Sequence, residues 1–302
     1  MIKTTMKRII FILLGLLSFS AQADLKIFAT VPEWGTLAKE IGGKHVDVFI
    51  ATGGMQDPHR IEAKPSLIAR ARNADLIVAT GAELEIGWLP VVVRDSSNPR
   101  VQPGQAGYFE AAKSVRMLEV PTRLDRADGD VHPGGNPHIQ TDPRNFLKIG
   151  EALAARMAQL DAVNAAEYQA NFKNFAERWK SVISKWEIAA APLRGLHVVT
   201  QHKAFPYLYD WLSIVEVATL EPKPGVEPSV SYLGQVVADA TSKNPRMVIR
   251  ATWNSPRPSE WFADHAHVPV VVLPFTVGGD DQAKDLFGLF DDTVNLLLKA
   301  AK

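Results

Sequence analysis

The sequence predicts an α/β protein of two lobes with mostly parallel sheets, bridged by one long α-helix. Three observations predict this class. Short apolar runs follow one another with helical patterns between them in both halves of the chain. The runs are continuously apolar, as in strands that are buried on both faces. A long helical pattern separates the two halves. The 302 residues, 46% of them hydrophobic, suffice for one or two domains with a large buried core.

Residues 1–23 have the order of a cleavable secretory signal. Lys3, Lys7 and Arg8 precede the apolar run IIFILLGLLSF, and the small-residue segment AQA follows it. The apolar run is too short for a comfortable membrane span. We expect the mature chain to begin near Asp24 and to be a soluble periplasmic protein.

Charge and cysteine content exclude several classes of function. Cleavage would remove three cations and no acid, which leaves 30 Lys and Arg against 33 Asp and Glu, or a net charge of about −3. No basic patch stands out, so no nucleic-acid partner is expected. The chain has no cysteine, which excludes disulfides, thiol nucleophiles, thiolate metal ligands and a lipid-modified cysteine. Any metal site must therefore use His, Asp or Glu.

The first lobe is predicted over residues 24–160. Its strands are the runs LKIFATV, VDVFIAT, DLIVATG and SVRMLEV. The helices between them are EWGTLAKEIGG, which closes on a glycine pair, PSLIARARNA, and a stretch from Glu83 to Leu89. The last run leads into a loop rich in Gly, Pro and Asp, of which residues 122–137 are expected to be mobile.

A single long linking helix is predicted over residues 161–191. It contains no glycine, and about thirty residues at 1.5 Å each give a rod of roughly 45 Å. We interpret it as a rigid strut between the lobes; a coiled-coil seam is the alternative, but two heptads are few for one. Intervals of four and three place six apolar residues on one face of this helix: Tyr168, Phe172, Phe175, Trp179, Val182 and Trp186.

The second lobe, residues 192–302, has the same β-α rhythm. The predicted strands are LHVVTQ, SIVEVATL, RMVIRAT and VPVVVLPFT. They alternate with the predicted helices AFPYLYDWL, SVSYLGQVVADATSK, PSEWFADHA and AKDLFGLFDDTVNLLLKAA. No residue-level repeat relates the two lobes.

Candidate metal ligands stand where strands run into loops or where helices begin. His59 lies in DPHRIEAKPS, His138 lies in NPHIQTDP, His202 follows a strand, and Asp280 and Asp281 follow VVVLPFTVGG. Open α/β sheets bind ligands outside the carboxyl ends of their strands, so these residues from both lobes are expected to meet in the inter-lobe cleft. Three imidazoles and a carboxylate, without sulfur, suit zinc.

Each candidate has a structural alternative. Asp280 and Asp281 could instead cap the final helix. His132 is an intermediate case, since its loop could carry metal towards the site without holding it. A single histidine more often has a surface or hydrogen-bonded role than a ligand role, and we keep that interpretation for His45, His197, His265 and His267.

Three motifs, in this order, resemble those of the extracytoplasmic metal-binding proteins of zinc and manganese ABC importers. DPHRIEAKPS resembles the first-ligand motif, NPHIQTDP the second and TQHKAFPYL the third, while GVEPS (Gly225 to Ser229) resembles a further family signature near the cleft. The resemblance covers essentially the whole mature chain. It implies two α/β lobes bridged by one helix, with His59, His138 and His202 as metal ligands.

The chain departs from this family pattern at three places. Ile61 and Gln140 stand where the family commonly has aromatic residues, and Phe275 stands near its acidic position. Asp280 or Asp281 would therefore have to reach back from the next loop, or water would fill the fourth ligand position. A third histidine favours zinc, because manganese-type members tend to replace one imidazole by a carboxylate, the harder ligand.

The resemblance implies a high-affinity periplasmic receptor, and not an enzyme, that delivers one zinc ion per chain to an inner-membrane ABC permease and its ATPase. A periplasmic zinc metallochaperone is a further candidate partner, and a monomer is expected. Three alternatives remain. They are a manganese receptor of the same family, a secreted zinc-dependent hydrolase, against which the lack of H-E-x-x-H argues, and a metal-chelate receptor, whose wide cleft three converging histidines would serve poorly.

Overall fold

A computed structural model describes residues 24–122 and 132–302 of the chain. The signal predicted over residues 1–23, and residues 123–131 of the predicted mobile loop, lie outside the described residues. Two all-parallel, four-stranded sheets with their helices form two lobes, which confirms the predicted α/β class. Within the described ranges, no helix is both long enough and apolar enough to cross a membrane.

The first lobe contains a sheet with the strand order β2-β1-β3-β4, in which every neighbouring pair is parallel. Strand β3 is buried on both faces, as its continuous apolar run predicts. The elements of this lobe are β1 (Leu25–Ala29), α1 (Pro32–Gly42), β2 (Val46–Ile50), α2 (Pro65–Arg72), β3 (Leu76–Ala79), α3 (Leu89–Ser96) and β4 (Tyr108–Glu110).

Two sequence predictions for this lobe are wrong. The run SVRMLEV forms no strand; its Val115, Met117 and Leu118 pack against the core from an irregular segment, and β4 lies before it. The stretch from Glu83 to Leu89 is a series of turns that ends where α3 begins. Glu83 has a φ of 66°, which a helix cannot accommodate.

The second lobe repeats the topology of the first, with the strand order β6-β5-β7-β8 and parallel pairing throughout. Each sheet therefore has its first and third strands at the centre, although no residue-level repeat relates the lobes. The elements are β5 (His197–Thr200), α6 (Pro206–Leu212), β6 (Val215–Thr219), α7 (Val230–Thr241), β7 (Met247–Ala251), α8 (Pro256–Ala266), β8 (Val270–Leu273) and α9 (Leu286–Ala300).

Two long helices lie between the sheets in the chain: α4 (Asn145–Leu160) and α5 (Ala165–Ala189). The 25 residues of α5 span about 37 Å. Two tryptophans of α5 bond to elements on either side of it in the chain. Trp179 Nε1 donates to the carbonyl of Pro143, before α4, and Trp186 Nε1 donates to Asp291 of α9. One continuous apolar core includes residues of both sheets and of α1, α4, α5, α6 and α9. The division at residues 160/161 and 191/192 stays a prediction.

Candidate metal site

Three histidines from separate parts of the chain meet between the lobes. His59 lies in the loop after β2, His138 precedes the short turn Ile139–Thr141 before α4, and His202 follows β5. One ring nitrogen of each lies within 4.8 Å of the others. The ring centroids are 5.2, 5.4 and 5.8 Å apart. The structure thus brings the three predicted histidines together, while metal binding by them stays a prediction.

Two of these histidines share a local Asx-Pro-His structure. In Asp57-Pro58-His59 the carboxylate oxygen Oδ1 accepts from the histidine backbone N–H at 3.0 Å and from its Nδ1 at 2.8 Å. In Asn136-Pro137-His138 the amide oxygen accepts the same two bonds at 3.0 and 2.9 Å. Because proline fixes the backbone between acceptor and histidine, each tripeptide holds its imidazole in one orientation.

The third histidine, His202, is oriented by a residue further along the chain. Its Nδ1 donates to Oε2 of Glu221, 2.8 Å away. Carboxylate and carbonyl-type oxygens only accept, so Nδ1 carries the proton in all three rings and Nε2 carries the lone pair. All three Nε2 atoms are buried, without a hydrogen-bond partner in the part of the chain that the structure describes. Buried acceptors of this kind are costly unless a ligand engages them, so the site is suited to a cation.

Neighbouring elements hold the two tripeptides in place. The indole Nε1 of Trp88, just before α3, donates to the carbonyl oxygen of Pro58 at 3.0 Å. The amide nitrogen of Asn136 donates to the carbonyl oxygen of Lys203 at 2.9 Å, and Tyr207 donates to the carbonyl of Asn136 at 2.8 Å. The segment carrying His138 is therefore bonded to the second lobe.

Burial keeps the central imidazole neutral. His138 is 2% exposed, and its burial, followed by the charges of His59, His202 and His132, lowers its pKa well below 6.5. Burial alone would raise the pKa of Asp57, but the hydrogen bond and charge of His59 outweigh it, and the pKa of Asp57 is lowered. Near pH 7 the site thus combines a neutral central imidazole with an ionised carboxylate behind His59.

The two predicted aspartates lie outside the histidine group. Asp280 accepts from the backbone N–H groups of Gln282 and Ala283 at 2.9 and 2.8 Å, and Asp281 is exposed. Across residues 24–122 and 132–302, the three histidines are the complete set of His, Asp and Glu side chains grouped closely enough to share one metal. The N-cap of α9 is Asp285, whose carboxylate accepts from Gly288 N, so neither Asp280 nor Asp281 has that role.

Aromatic rings and two cavities surround the histidines. The Phe275 ring lies 5.4 Å from that of His138, and the Trp253 ring lies 5.4 Å from that of His202. The His132 ring is 5.6 Å from that of His59, at the edge of a cavity of about 210 Å³ that His138 and His202 also line. A second cavity, of about 170 Å³, is lined by His59 and His202 among other residues.

The remaining predicted structural histidines have the roles expected of them. His45 lies 2.8 Å from a carboxylate oxygen of Glu167. His197 and His265 each place Nδ1 against a backbone carbonyl, and His267 ends α8 with a left-handed φ of 55°. Sequence reasoning missed Asp57, Asn136 and Glu221 as orienting residues; the repeated Asx-Pro-His pattern was a usable signal for the first two.

Comparisons with known proteins found relatives among the substrate-binding proteins of metal transporters. The chain is 21% identical over 272 residues to the metal ABC transporter substrate-binding lipoprotein SsaB of Streptococcus sanguinis, covering 88% of this chain and 84% of that protein. It is 21% identical to the manganese ABC transporter substrate-binding lipoprotein PsaA of Streptococcus mitis, covering 86% and 83%. It is 23% identical over 214 residues to the high-affinity zinc uptake system protein ZnuA of Bacillus subtilis, covering 70% and 65%.

Solved structures share the fold. A crystal structure of ZnuA matches with a TM-score of 0.74 and 23% identity, covering 90% of this chain and 98% of that one. The substrate-binding protein FpvC of Pseudomonas aeruginosa, in complex with Mn²⁺, matches with a TM-score of 0.77 and 20% identity, covering 92% and 98%. The family model of ZnuA, the periplasmic component A of the zinc-uptake complex, matches residues 27–300. The chain therefore belongs to the ZnuA family, within the substrate-binding proteins of metal ABC transporters.

Proposed function

We propose that the protein is a high-affinity periplasmic receptor that binds one Zn²⁺ per chain and delivers it to the permease and ATPase of an ABC importer. The observation that carries the proposal is a group of three histidines whose ring nitrogens lie within 4.8 Å of one another and whose buried Nε2 atoms have no hydrogen-bond partner among the described residues. The other nitrogen of each ring is already hydrogen-bonded to an oxygen, which is the usual arrangement of metal-bound histidines.

The distances between the rings suit a tetrahedral ion after a small adjustment. Zinc bound to imidazole nitrogens at 2.0–2.1 Å places tetrahedral ligands about 3.3 Å apart. Atoms that already lie within 4.8 Å of one another need to approach by at most about 1.5 Å. We assign the fourth position to water in preference to Asp280 or Asp281, because the Asp280 carboxylate already bonds to its own loop and Asp281 is exposed.

The donor set favours zinc over manganese. Family membership alone does not choose the metal, since the named relatives include both zinc and manganese proteins. Three neutral imidazoles without a carboxylate form a nitrogen site, whereas Mn²⁺ prefers oxygen ligands and binds weakest in the Irving–Williams order. A manganese receptor is the alternative that the experiment below tests.

A receptor fits the surroundings of the histidines better than a zinc hydrolase does. Zinc hydrolases of the H-E-x-x-H type place a glutamate beside the metal-bound water as general base. The two carboxylates bonded to the histidines, Asp57 and Glu221, each accept the Nδ1 proton of a proposed ligand. They are therefore committed to orienting imidazoles.

The metallochaperone partner and the monomeric state stay predictions.

The test is competitive metal binding by the purified mature protein after its metal has been removed with a chelator. Titration against a chromophoric chelator of known affinity gives the Kd and stoichiometry for Zn²⁺ and, in parallel, for Mn²⁺. We expect one Zn²⁺ per chain and a Kd for zinc far below that for manganese. Tighter binding of Mn²⁺, or no stoichiometric zinc, would refute the proposal.

A further inference from the structure

Two carboxylates orient two of the proposed ligands from opposite sides of the cleft. Asp57 Oδ1 holds Nδ1 of His59 in the first lobe, and Glu221 Oε2 holds Nδ1 of His202 in the second, each at 2.8 Å. A link between these two carboxylates would couple the positions of the two imidazoles.

Arg60 and Gly225 supply such a link. Nη2 of Arg60 donates to the carbonyl oxygen of Gly225 at 3.1 Å, and the N–H of Gly225 donates to Oε2 of Glu221 at 2.8 Å. On the other side, Nε of Arg60 lies 3.8 Å from Oδ2 of Asp57. A path of polar contacts thus crosses the cleft from one orienting carboxylate to the other.

The backbone carries movement of this link to His59. Arg60 directly follows His59, and the turn that contains both is closed by a bond from Arg60 N to the carbonyl of Asp57 at 3.2 Å. Gly225 has a φ of 75°, a left-handed conformation that suits glycine. While its guanidinium is bonded to Gly225, Arg60 ties the His59 turn to the segment that contains Gly225 and Glu221.

The bond between Arg60 and Gly225 lies at the surface, whereas His138, the neighbouring proposed ligand, is buried. The Arg60 side chain is 67% exposed, whereas that of Glu221 is 13% exposed. Exposed polar contacts contribute little to folding free energy, so this one can open without disturbing the core. His138, by contrast, is buried and its Nδ1 lies 3.1 Å from the carbonyl of Lys203 in the second lobe. The Arg60–Gly225 bond is thus the exposed part of what holds His59 across the cleft.

We propose that Arg60 is a positioning residue that latches the cleft over the bound metal and sets the rate at which the metal leaves. The inference rests on the proposed function, in which the three histidines share one ion. While Arg60 bonds to Gly225, the His59 turn stays against the second lobe. When that contact opens, His59 withdraws with its turn and water replaces its Nε2 on the metal. Loss of this contact should therefore change koff for the metal more than kon.

The test is the rate of zinc release from the full mature protein. Zinc-loaded protein is mixed with excess chromophoric chelator in a stopped-flow instrument, and kon is measured separately by adding zinc to metal-free protein. Loss of one such hydrogen bond predicts that Arg60→Ala raises koff about two- to tenfold, with kon and the Tm of the metal-free protein unchanged. Arg60→Lys retains the charge and a donor for the Gly225 carbonyl, so it should restore part of the slow release.

Arg94→Ala is the matched control. Arg94, in the last turn of α3, is 72% exposed and pairs with Asp95 at 2.8 Å, so it resembles Arg60 in exposure and pairing. We expect this variant to release zinc at the wild-type rate. A wild-type koff in Arg60→Ala, in a protein that still binds zinc tightly, would overturn the latch and leave the proposed function standing. A wild-type protein that binds no zinc would overturn the proposed function itself.

Discussion

A buried carboxylate between the lobes makes the stability of this protein depend on pH. Glu33, in the first turn of α1, is 1% exposed and accepts a hydrogen bond from the hydroxyl of Thr276, which follows β8 in the second lobe. Burial raises the pKa of Glu33 from its usual 4.5 to about 7; the Thr276 bond opposes this rise and the charge of buried Glu85 adds to it. Glu33→Gln keeps the shape and removes the titration.

The size of this pH effect follows from the pKa of Glu33 in the folded protein, about 7, and its usual value of 4.5. Between pH 4.5 and about 7 the folded state holds a proton on Glu33 that the unfolded state has lost, so the free energy of unfolding falls as pH rises through this window. At 1.36 kcal/mol per pH unit, the loss is about 2 to 3 kcal/mol between pH 5 and pH 8. Glutamine does not titrate. The free energy of unfolding of Glu33→Gln should therefore rise by about 2 to 3 kcal/mol relative to that of wild type between pH 5 and pH 8.

The assay is urea unfolding of metal-free wild type and Glu33→Gln at intervals between pH 5 and pH 8, followed by tryptophan fluorescence. The difference in unfolding free energy between the two proteins isolates Glu33, because all other groups titrate in both. Glu177→Gln, on the exposed side of α5, is the control for replacing a glutamate by glutamine. A difference for Glu33→Gln that stays flat across this range would refute the reasoning.

Three further predictions concern the metal site. His138→Ala should weaken zinc binding by at least about a hundredfold in a competition titration, while His265→Ala, at an exposed helix end, should bind like wild type. Glu221→Gln should weaken it by about 10- to 100-fold, since the proton on Nδ1 of the bonded histidine loses its carboxylate acceptor; wild-type affinity would contradict this. Gly54→Ala should lower the Tm and speed zinc release, because its Cβ would overlap the backbone of the loop after β8, whereas Gly234→Ala, in open space on α7, should not.

The central strands and the histidine cluster were predictable from the sequence for physical reasons. Strands buried on both faces must be continuously apolar, so the run containing β3 stands out from its polar neighbours. His202 follows the apolar strand β5, His59 lies in the loop after the half-buried edge strand β2, and residues at the carboxyl ends of parallel strands meet at one edge of a sheet. That rule placed both histidines at the cleft without any knowledge of the contacts between them.

Other features depended on contacts that no local pattern contains. The three-residue strand β4 is too short to show a period, whereas the apolar side chains of the SVRMLEV run pack on the core without strand pairing. Glu221 lies nineteen residues beyond His202, and only the folded chain brings its carboxylate to that ring. The carboxylate of Asp280 likewise accepts hydrogen bonds from backbone N–H groups of its own loop, and the hydrophobic pattern of a sequence does not predict such bonds.

The aromatic contacts along α5 bear on how such a site can open. Trp179 lies 5.5 Å from Phe146 of α4 and 5.6 Å from Phe290 of α9, measured between ring centroids, so the three rings join both lobes to the long helix. Exposing one such ring, with 150–250 Å² of surface, costs about 4 to 6 kcal/mol. A wide hinge motion that separated these rings would cost several times the energy of one surface hydrogen bond. Movement confined to the loop that carries His59 leaves this core intact and is therefore the less costly route for metal to enter and leave.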